Sequence, residues 1–163
     1  MKKPSFRVGF GFDVHQLKAG REFVLGGIKI EHSMGPDGHS DADVLLHAIC
    51  DALLGAAGLR DIGHYFPNTD PNYKGIDSKK LLEEVISKIS VLGFEVGNID
   101  CTICAEQPKI NPHIDSMKTV LAKIMKIDSL DISIKATTNE KMGYIGREEG
   151  IAAYAVCLIY KVD

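Results

Sequence analysis

The stretch GFGFDVHQL, residues 9–17, decides which class of fold the chain can adopt. The apolar run FRVGFGFDV (6–14) predicts a strand, and its glycines invite comparison with a dinucleotide-binding turn. That comparison fails, because GFGFD lacks the third glycine of G-x-G-x-x-G and is not followed by a helix. Residues i and i+2 of a strand project to one face, so Asp13 and His15 stand side by side. The pair has chelating geometry if a third ligand arrives from elsewhere; the plainer alternative is a strand edge with two solvated polar residues.

Outward from this strand, a turn at KAG leads to short strands around FVL and IKI, then to a GPDGHS loop. DADVLLHAICDALLGAAGL carries apolar residues at helical spacing and predicts a helix over 41–57, with Ser40 as N-cap and Gly58 as stop. RDIGHYFPNTDPNYKG reads as a loop, and residues 77–92 as an amphipathic helix capped by Asp77 or Ser78 and ended by Gly93. FEVGNIDCTICAE predicts a long strand, Pro112 opens a helix to about Lys126, LDISIKAT is a strand and TNEKMGYIGREEG a loop. IAAYAVCLIY is almost continuously apolar, which predicts a central strand. The expected fold is α+β, one domain over 1–163: a mixed β-sheet with helices packed on one face, in a ferredoxin-like arrangement.

A net charge of −3 supplies no basic field for nucleic acid or an anionic membrane, so an anionic ligand must be held by local groups. No run of eighteen apolar residues and no charged-then-apolar leader occurs, so the expected location is the cytoplasm. CTIC (101–104) matches C-x-x-C, but its cysteines face opposite sides of a strand, so Cys50, Cys101, Cys104 and Cys157 are expected to be buried thiols without a redox role.

In HSDADVLLH (39–47), His39, Asp43 and His47 are spaced by four and Asp51 continues the row, placing them near one helical face. Such a stripe is either the solvated side of the helix or a ligand face. Its His and Asp content, with no basic residue between Asp41 and Arg60, favours the ligand face. Asp13, His15 and one helical histidine make a three-ligand N/N/O set of the kind that holds catalytic zinc with an open fourth position. His47, inside the helix, is the better third ligand, with Asp51 placed to orient its ring. His39 and Ser40 lie where a loop meets a helix N-terminus, a natural anion site. HSD is not a catalytic triad, because three consecutive residues cannot meet in sequence. In KATTNEKMGYIGREEG (135–150), hydroxyls, cations and glycines suit a polyphosphate, and Glu140 suits a Mg²⁺ on it; a merely solvated loop is the alternative.

Taken together, GFDVH, GGI, HSDADVLLHAICDALLGAAGLRDIG, FPNTDP, AEQPKINPHI and KATTNEKMGYIGREEGI, in this order over residues 7–160, resemble the 2-C-methyl-D-erythritol 2,4-cyclodiphosphate synthase family of the non-mevalonate isoprenoid pathway. The resemblance implies an α+β homotrimer with active sites between subunits, and Zn²⁺ on Asp13, His15 and His47. The implied substrate is 4-diphosphocytidyl-2-C-methyl-D-erythritol 2-phosphate, cyclised with loss of CMP. Its erythritol phosphate part would meet Asp13, His15, His39, Ser40, Asp61, Ile62, Gly63 and the loop Phe66, Pro67, Asn68, Thr69, Asp70. Its cytidine part would meet Ala105, Glu106, Gln107, Pro108, Lys109, Ile110, Asn111, Thr137, Thr138 and Asn139. His39 and Thr138 would be catalytic, Glu140 would hold Mg²⁺ or Mn²⁺, and Tyr144 and Arg147 would complete the substrate contacts.

Phe12, Arg147 and Glu149 would line an axial cavity that holds an isoprenoid diphosphate in some family members. Asn68 stands where some members have Asp, and Tyr144 where others have Phe. The residues by themselves leave two other readings open: a metal-dependent phosphodiesterase or pyrophosphatase, and a non-catalytic nucleotide-binding module.

Overall fold

The computed structural model describes residues 5–162. Strand β1 (Phe6–Ala19) is followed by β2 (Phe23–Leu25), β3 (Ile28–Ile30) and β4 (Met34–Pro36), then helices α1 (Val44–Ala57), α2 (Ile62–Tyr65) and α3 (Ser78–Val91). Strand β5 (Phe94–Cys104), helix α4 (Ile114–Met125), strand β6 (Ile132–Thr137), the short helix α5 (Gly143–Gly146) and strand β7 (Gly150–Lys161) complete the chain. The main sheet has the order β4-β1-β7-β5-β6; only its β5–β6 pair is parallel, while β2 and β3 form a separate hairpin. The fold is mixed α+β. Its succession of four strands, three helices, a strand, a helix, a strand, a short helix and a last strand departs from the βαββαβ order of a ferredoxin-like arrangement.

β7 occupies the centre, as its apolar run requires. Ile151, Ala153, Ala155, Cys157 and Ile159 are buried on the helix-covered side. On β1 that side carries Gly9, Gly11, Asp13, His15 and Leu17, the opposite side Phe6, Val8, Phe10, Phe12 and Val14. The glycines exist for α1: a Cβ on Gly9 would stand 1.9 Å from the carbonyl oxygen of Ala52, and one on Gly11 1.9 Å from that of Ala48. The helix backbone therefore lies directly on the strand, with Ala48, Ala52 and Ala56 facing it. Leu45, Leu46, Ile49, Leu53 and Leu54 bury the rest of α1, at roughly 1.5–3 kcal/mol per side chain. The Gly-x-Gly pattern is thus a packing device, and no phosphate loop.

The helix begins three residues later than expected. Asp43, fully buried, is its N-cap and accepts from Leu46 N–H (3.1 Å) as well as from Gly26 (3.0 Å) and Gly27 (2.7 Å). Ser40 does not cap α1; its hydroxyl accepts from Ala42 N–H. The carboxylate of Asp43 also occupies the helix N-terminus, which removes the expected anion site there and takes Asp43 out of the ligand row. It won the cap because one carboxylate there satisfies the GG turn between β2 and β3 as well as the helix.

Strand β1 runs through the KAG turn to Ala19, β4 extends into the GPDGHS loop, and the loops 60–75 and 138–150 each contain a short helix. The four cysteines are free and buried. Burial raises the Cys50 thiol well above its ordinary range and pushes Cys101 and Cys157 up to about 12 and about 11, leaving no reactive thiolate among them.

Candidate active site

β1 presents Asp13 and His15 toward α1, and the glycine contact two residues earlier brings His47 down onto them. Asp13 Oδ2 lies 2.9 Å from His15 Nε2 and 3.0 Å from His47 Nδ1, and the two ring nitrogens are 3.2 Å apart. Ligands about 2.0–2.1 Å from a tetrahedral zinc are themselves about 3.3 Å apart, so the triangle fits such an ion.

The hydrogen bonds assign the tautomers. His15 Nδ1–H donates to the carbonyl of Asp37 (2.9 Å), which turns the Nε2 lone pair inward. Ser78 Oγ donates to Asp41, so it accepts from His47 Nε2–H (2.9 Å), and the Nδ1 lone pair of His47 also turns inward. Two lone pairs and a carboxylate converge on one point, an arrangement that calls for a cation. Without one, a proton substitutes. Burial lowers the basicity of His15, but the Asp13 hydrogen bond outweighs this and raises its pKa. Burial likewise opposes ionisation of Asp13, yet the bonds from His15 and His47 bring its pKa down to about 2. Among the described residues, Asp13, His15 and His47 form a group that can hold a metal ion.

Asp51 does not orient His47, because its carboxylate accepts from Ile62 N–H at 2.8 Å and so fixes the start of α2. Ser78 takes that role, joined by Ser40, whose Oγ lies 3.2 Å from the same Nε2, while Asp41 holds both the hydroxyl and the amide of Ser78. At sequence level Ser78 is only a residue at a helix start. Nothing in its neighbourhood signals a contact with a histidine 31 positions away.

The triad opens on a cavity of about 380 Å³ lined also by Asp37, Gly38, His39, Ser40, Ile62, Gly63, Phe66 and Asn68. His39 Nε2–H donates to the carbonyl of Asp70 (3.2 Å), which ties the cavity wall to the FPNTD loop. Asp61 caps α2, accepting from His64 N–H. Asp70 caps the turn at Pro71–Tyr73. Pro67 and Thr69 lie in the same loop.

A second cleft, about 130 Å³, lies where β5 and β6 end, lined by Ala105, Glu106, Pro108, Lys109, Ile110, Asn111, Ala136, Thr137 and Thr138. Gln107 belongs to the same segment and Asn139 to the turn that follows Thr138. Val14, Ala152, Cys104 and Thr137 are aligned across the sheet; three strand spacings, about 14 Å, therefore separate the two sites along one sheet end. Glu140 is exposed in the turn after β6. Tyr144, on α5, is exposed, and Arg147 pairs with Glu149 (2.8 Å) just before β7, whose neighbour β1 carries the exposed Phe12. One chain thus keeps the group of Asp13, His15 and His47 and the second cleft apart.

Comparison with known proteins gives the family. The YgbB family model matches residues 6–160. A Porphyromonas gingivalis 2-C-methyl-D-erythritol 2,4-cyclodiphosphate synthase is 64% identical over 159 residues, 98% of each chain. A Plasmodium falciparum IspF solved as a CDP complex superposes with a TM-score of 0.87 at 31% identity, covering 99% of this chain and 100% of that one. The bifunctional IspDF of Campylobacter jejuni superposes with a TM-score of 0.93 at 41% identity over 97% of this chain, which spans 43% of that longer protein. With its strand-borne Asp-x-His, its helical histidine and the cleft beyond β5 all in place, the chain belongs to the YgbB family.

Proposed function

We propose that this protein converts 4-diphosphocytidyl-2-C-methyl-D-erythritol 2-phosphate to 2-C-methyl-D-erythritol 2,4-cyclodiphosphate and CMP by metal-dependent intramolecular phosphoryl transfer. One observation carries the reading: the donor atoms of Asp13, His15 and His47 converge at a cavity walled by His39 and Ser40, in a chain 64% identical to a synthase of that name.

Asp13, His15 and His47 would hold Zn²⁺, and Glu140 a Mg²⁺ or Mn²⁺. When bound, such cations supply Lewis-acid polarisation of phosphoryl oxygens and neutralise developing charge. The chain's own residues bind and align. Asp61, Ile62, Gly63 and the loop 66–70 would enclose the erythritol phosphate. Segment 105–111, with Thr137 and Thr138, would seat the cytidine and its diphosphate, with Asn139, Tyr144 and Arg147 completing the contacts. Thr138, and His39 once its N–H is released from the carbonyl of Asp70, would donate hydrogen bonds to the phosphoryl oxygens as charge accumulates on them. Attack by an oxygen of the 2-phosphate on the β-phosphorus needs no protein nucleophile. Alignment within one molecule can supply roughly 7–11 kcal/mol of the barrier.

A cytidine-bearing substrate accords with the CDP held by the Plasmodium relative. Assembly as a homotrimer with sites between subunits would bring one chain's metal triad to a neighbour's second cleft. It is supported by the aligned exposed side chains Phe6, Val8, Phe10, Phe12, Val14, Tyr154 and Val156 on the helix-free face of the sheet. Phe12, Arg147 and Glu149 would then face a shared axis, where an isoprenoid diphosphate is the expected ligand. No helix among the described residues is long and apolar enough to cross a membrane.

The test is turnover of the diphosphocytidyl substrate with Mg²⁺ and Zn²⁺, followed by phosphorus NMR. CMP in equal amount with a cyclic diphosphate is expected. CMP with a linear product would make the protein a hydrolase, and binding without CMP would make it a nucleotide-binding module.

A further inference from the structure

Glu106 lies two residues past the end of β5, and its side chain is only 3% exposed. Oε1 accepts the amides of Asn139 (3.0 Å) and Lys141 (3.1 Å), while Oε2 meets Lys141 Nζ at 3.0 Å. Both carboxylate oxygens are therefore engaged by the chain itself. The gripped turn holds Glu140 and Lys141 at φ 51° and 62°, two successive non-glycine residues in the left-handed region. L-residues adopt that region at a cost, and it persists where surrounding contacts over-determine it. Gly146 adds a second restraint, since a Cβ there would stand 2.1 Å from the carbonyl carbon of Lys141. Just ahead of the gripped amides, Thr138 lines the cleft beyond β5.

We infer that Glu106 is a positioning residue within the segment proposed to seat the cytidine: its buried carboxylate, engaged on both oxygens by the chain itself, fixes the 138–141 turn, and through it Thr138 and Glu140. The inference rests on the proposed synthase reading for what Thr138 and Glu140 do, but the grip itself is independent of turnover. Two amides share one oxygen, a task that the carbonyl oxygen of glutamine can perform and alanine cannot. The ion pair to the exposed Lys141 is the lesser part, since a solvated ammonium contributes little.

The test compares Glu106→Ala, Glu106→Gln and Lys141→Ala for zinc content, CDP affinity by calorimetry in Mg²⁺, and kcat, KM and the Mg²⁺ concentration at half-maximal rate. Glu106→Ala should keep its zinc, weaken CDP binding about tenfold or more and raise the Mg²⁺ requirement by a similar factor, because misplacing a contact group by an ångström costs up to about a hundredfold. Glu106→Gln should restore most of both, and Lys141→Ala should change them little. Wild-type behaviour of Glu106→Ala would overturn the inference, as would Glu106→Gln failing as badly as alanine, which would assign the effect to charge. If the wild type binds CDP but does not cyclise the substrate, the synthase reading fails while the CDP measurements still decide the role of Glu106.

Discussion

Gly11→Ala tests whether the strand–helix contact builds the metal centre. The new methyl would lie 1.9 Å from the carbonyl oxygen of Ala48 and 2.7 Å from the amide nitrogen of Ala52, both backbone atoms that no rotamer change can move. Helix α1 must retreat by about 1 Å before the shorter contact becomes tolerable, several times the roughly 0.2 Å within which metal–ligand distances are held. His47 immediately precedes Ala48 and moves with it, while Asp13 and His15 stay on β1. Overpacking of this kind costs typically 1–3 kcal/mol, about 3–10 °C in melting temperature for a chain of this length. Zinc affinity should fall at least about tenfold, the scale on which displaced or unsupported ligands act.

The assay pairs thermal melts with zinc competition against a chromogenic chelator, and Gly9→Ala serves as the control. Its clash, 1.9 Å from Ala52 O, is equally severe but one helical turn farther from His47. Gly9→Ala should match the loss of stability with a smaller loss of zinc. Equal zinc affinity in Gly11→Ala and wild type would refute the claim that the glycine contact places His47.

His47→Ala should lose bound zinc and turnover together; full metal content by elemental analysis would show that His47 is not a ligand. Ser78→Ala removes the nearer of two serine hydroxyls beside His47 Nε2, leaving Ser40 Oγ at 3.2 Å, and takes one donor from Asp41, so stability should drop by about 0.5–1.5 kcal/mol and zinc affinity by up to about tenfold; Ser78→Thr, which keeps a hydroxyl, should recover most of the affinity.

In chelator-treated protein, pH acts through Asp13 and His15. The contribution of Asp13 is present above its ordinary value of 3.8 and is lost as pH falls through about 2. That of His15 is complete below 6.5 and is lost as pH rises through its elevated folded value. The cluster therefore supports the metal-free fold most between about pH 4 and 6.5, and melting temperature should decline above that window. Added zinc should reverse the trend, because its ligands bind unprotonated; identical pH profiles with and without zinc would contradict the assignment.

Local patterns carried much of this architecture. The near-continuous apolar run at 151–160 announced the central strand, the spacing over 78–91 its helix, and the i, i+2 rule set Asp13 beside His15, all decided by periodicities within a few residues. His47 was legible as the third member of the group that can hold a metal ion, because a histidine inside a buried helix, with Asp-x-His on a strand, restricts the alternatives. Tertiary contacts decided the rest. Ser40 looks like the cap of α1, yet the amides of Gly26 and Gly27, distant in sequence, assigned the role to Asp43. Asp51 looks like the partner of His47 because it lies one helical turn away, yet the start of α2 claims it and α3 delivers Ser78 instead. Sequence alone singled out Asp13, His15 and His47 as a set able to hold a cation, since residue type and short-range spacing fix what a group can bind. Only the packed structure decided which neighbours orient those groups, because hydrogen-bond partners are shared out among segments that meet only when the sheet and its helices close on one another.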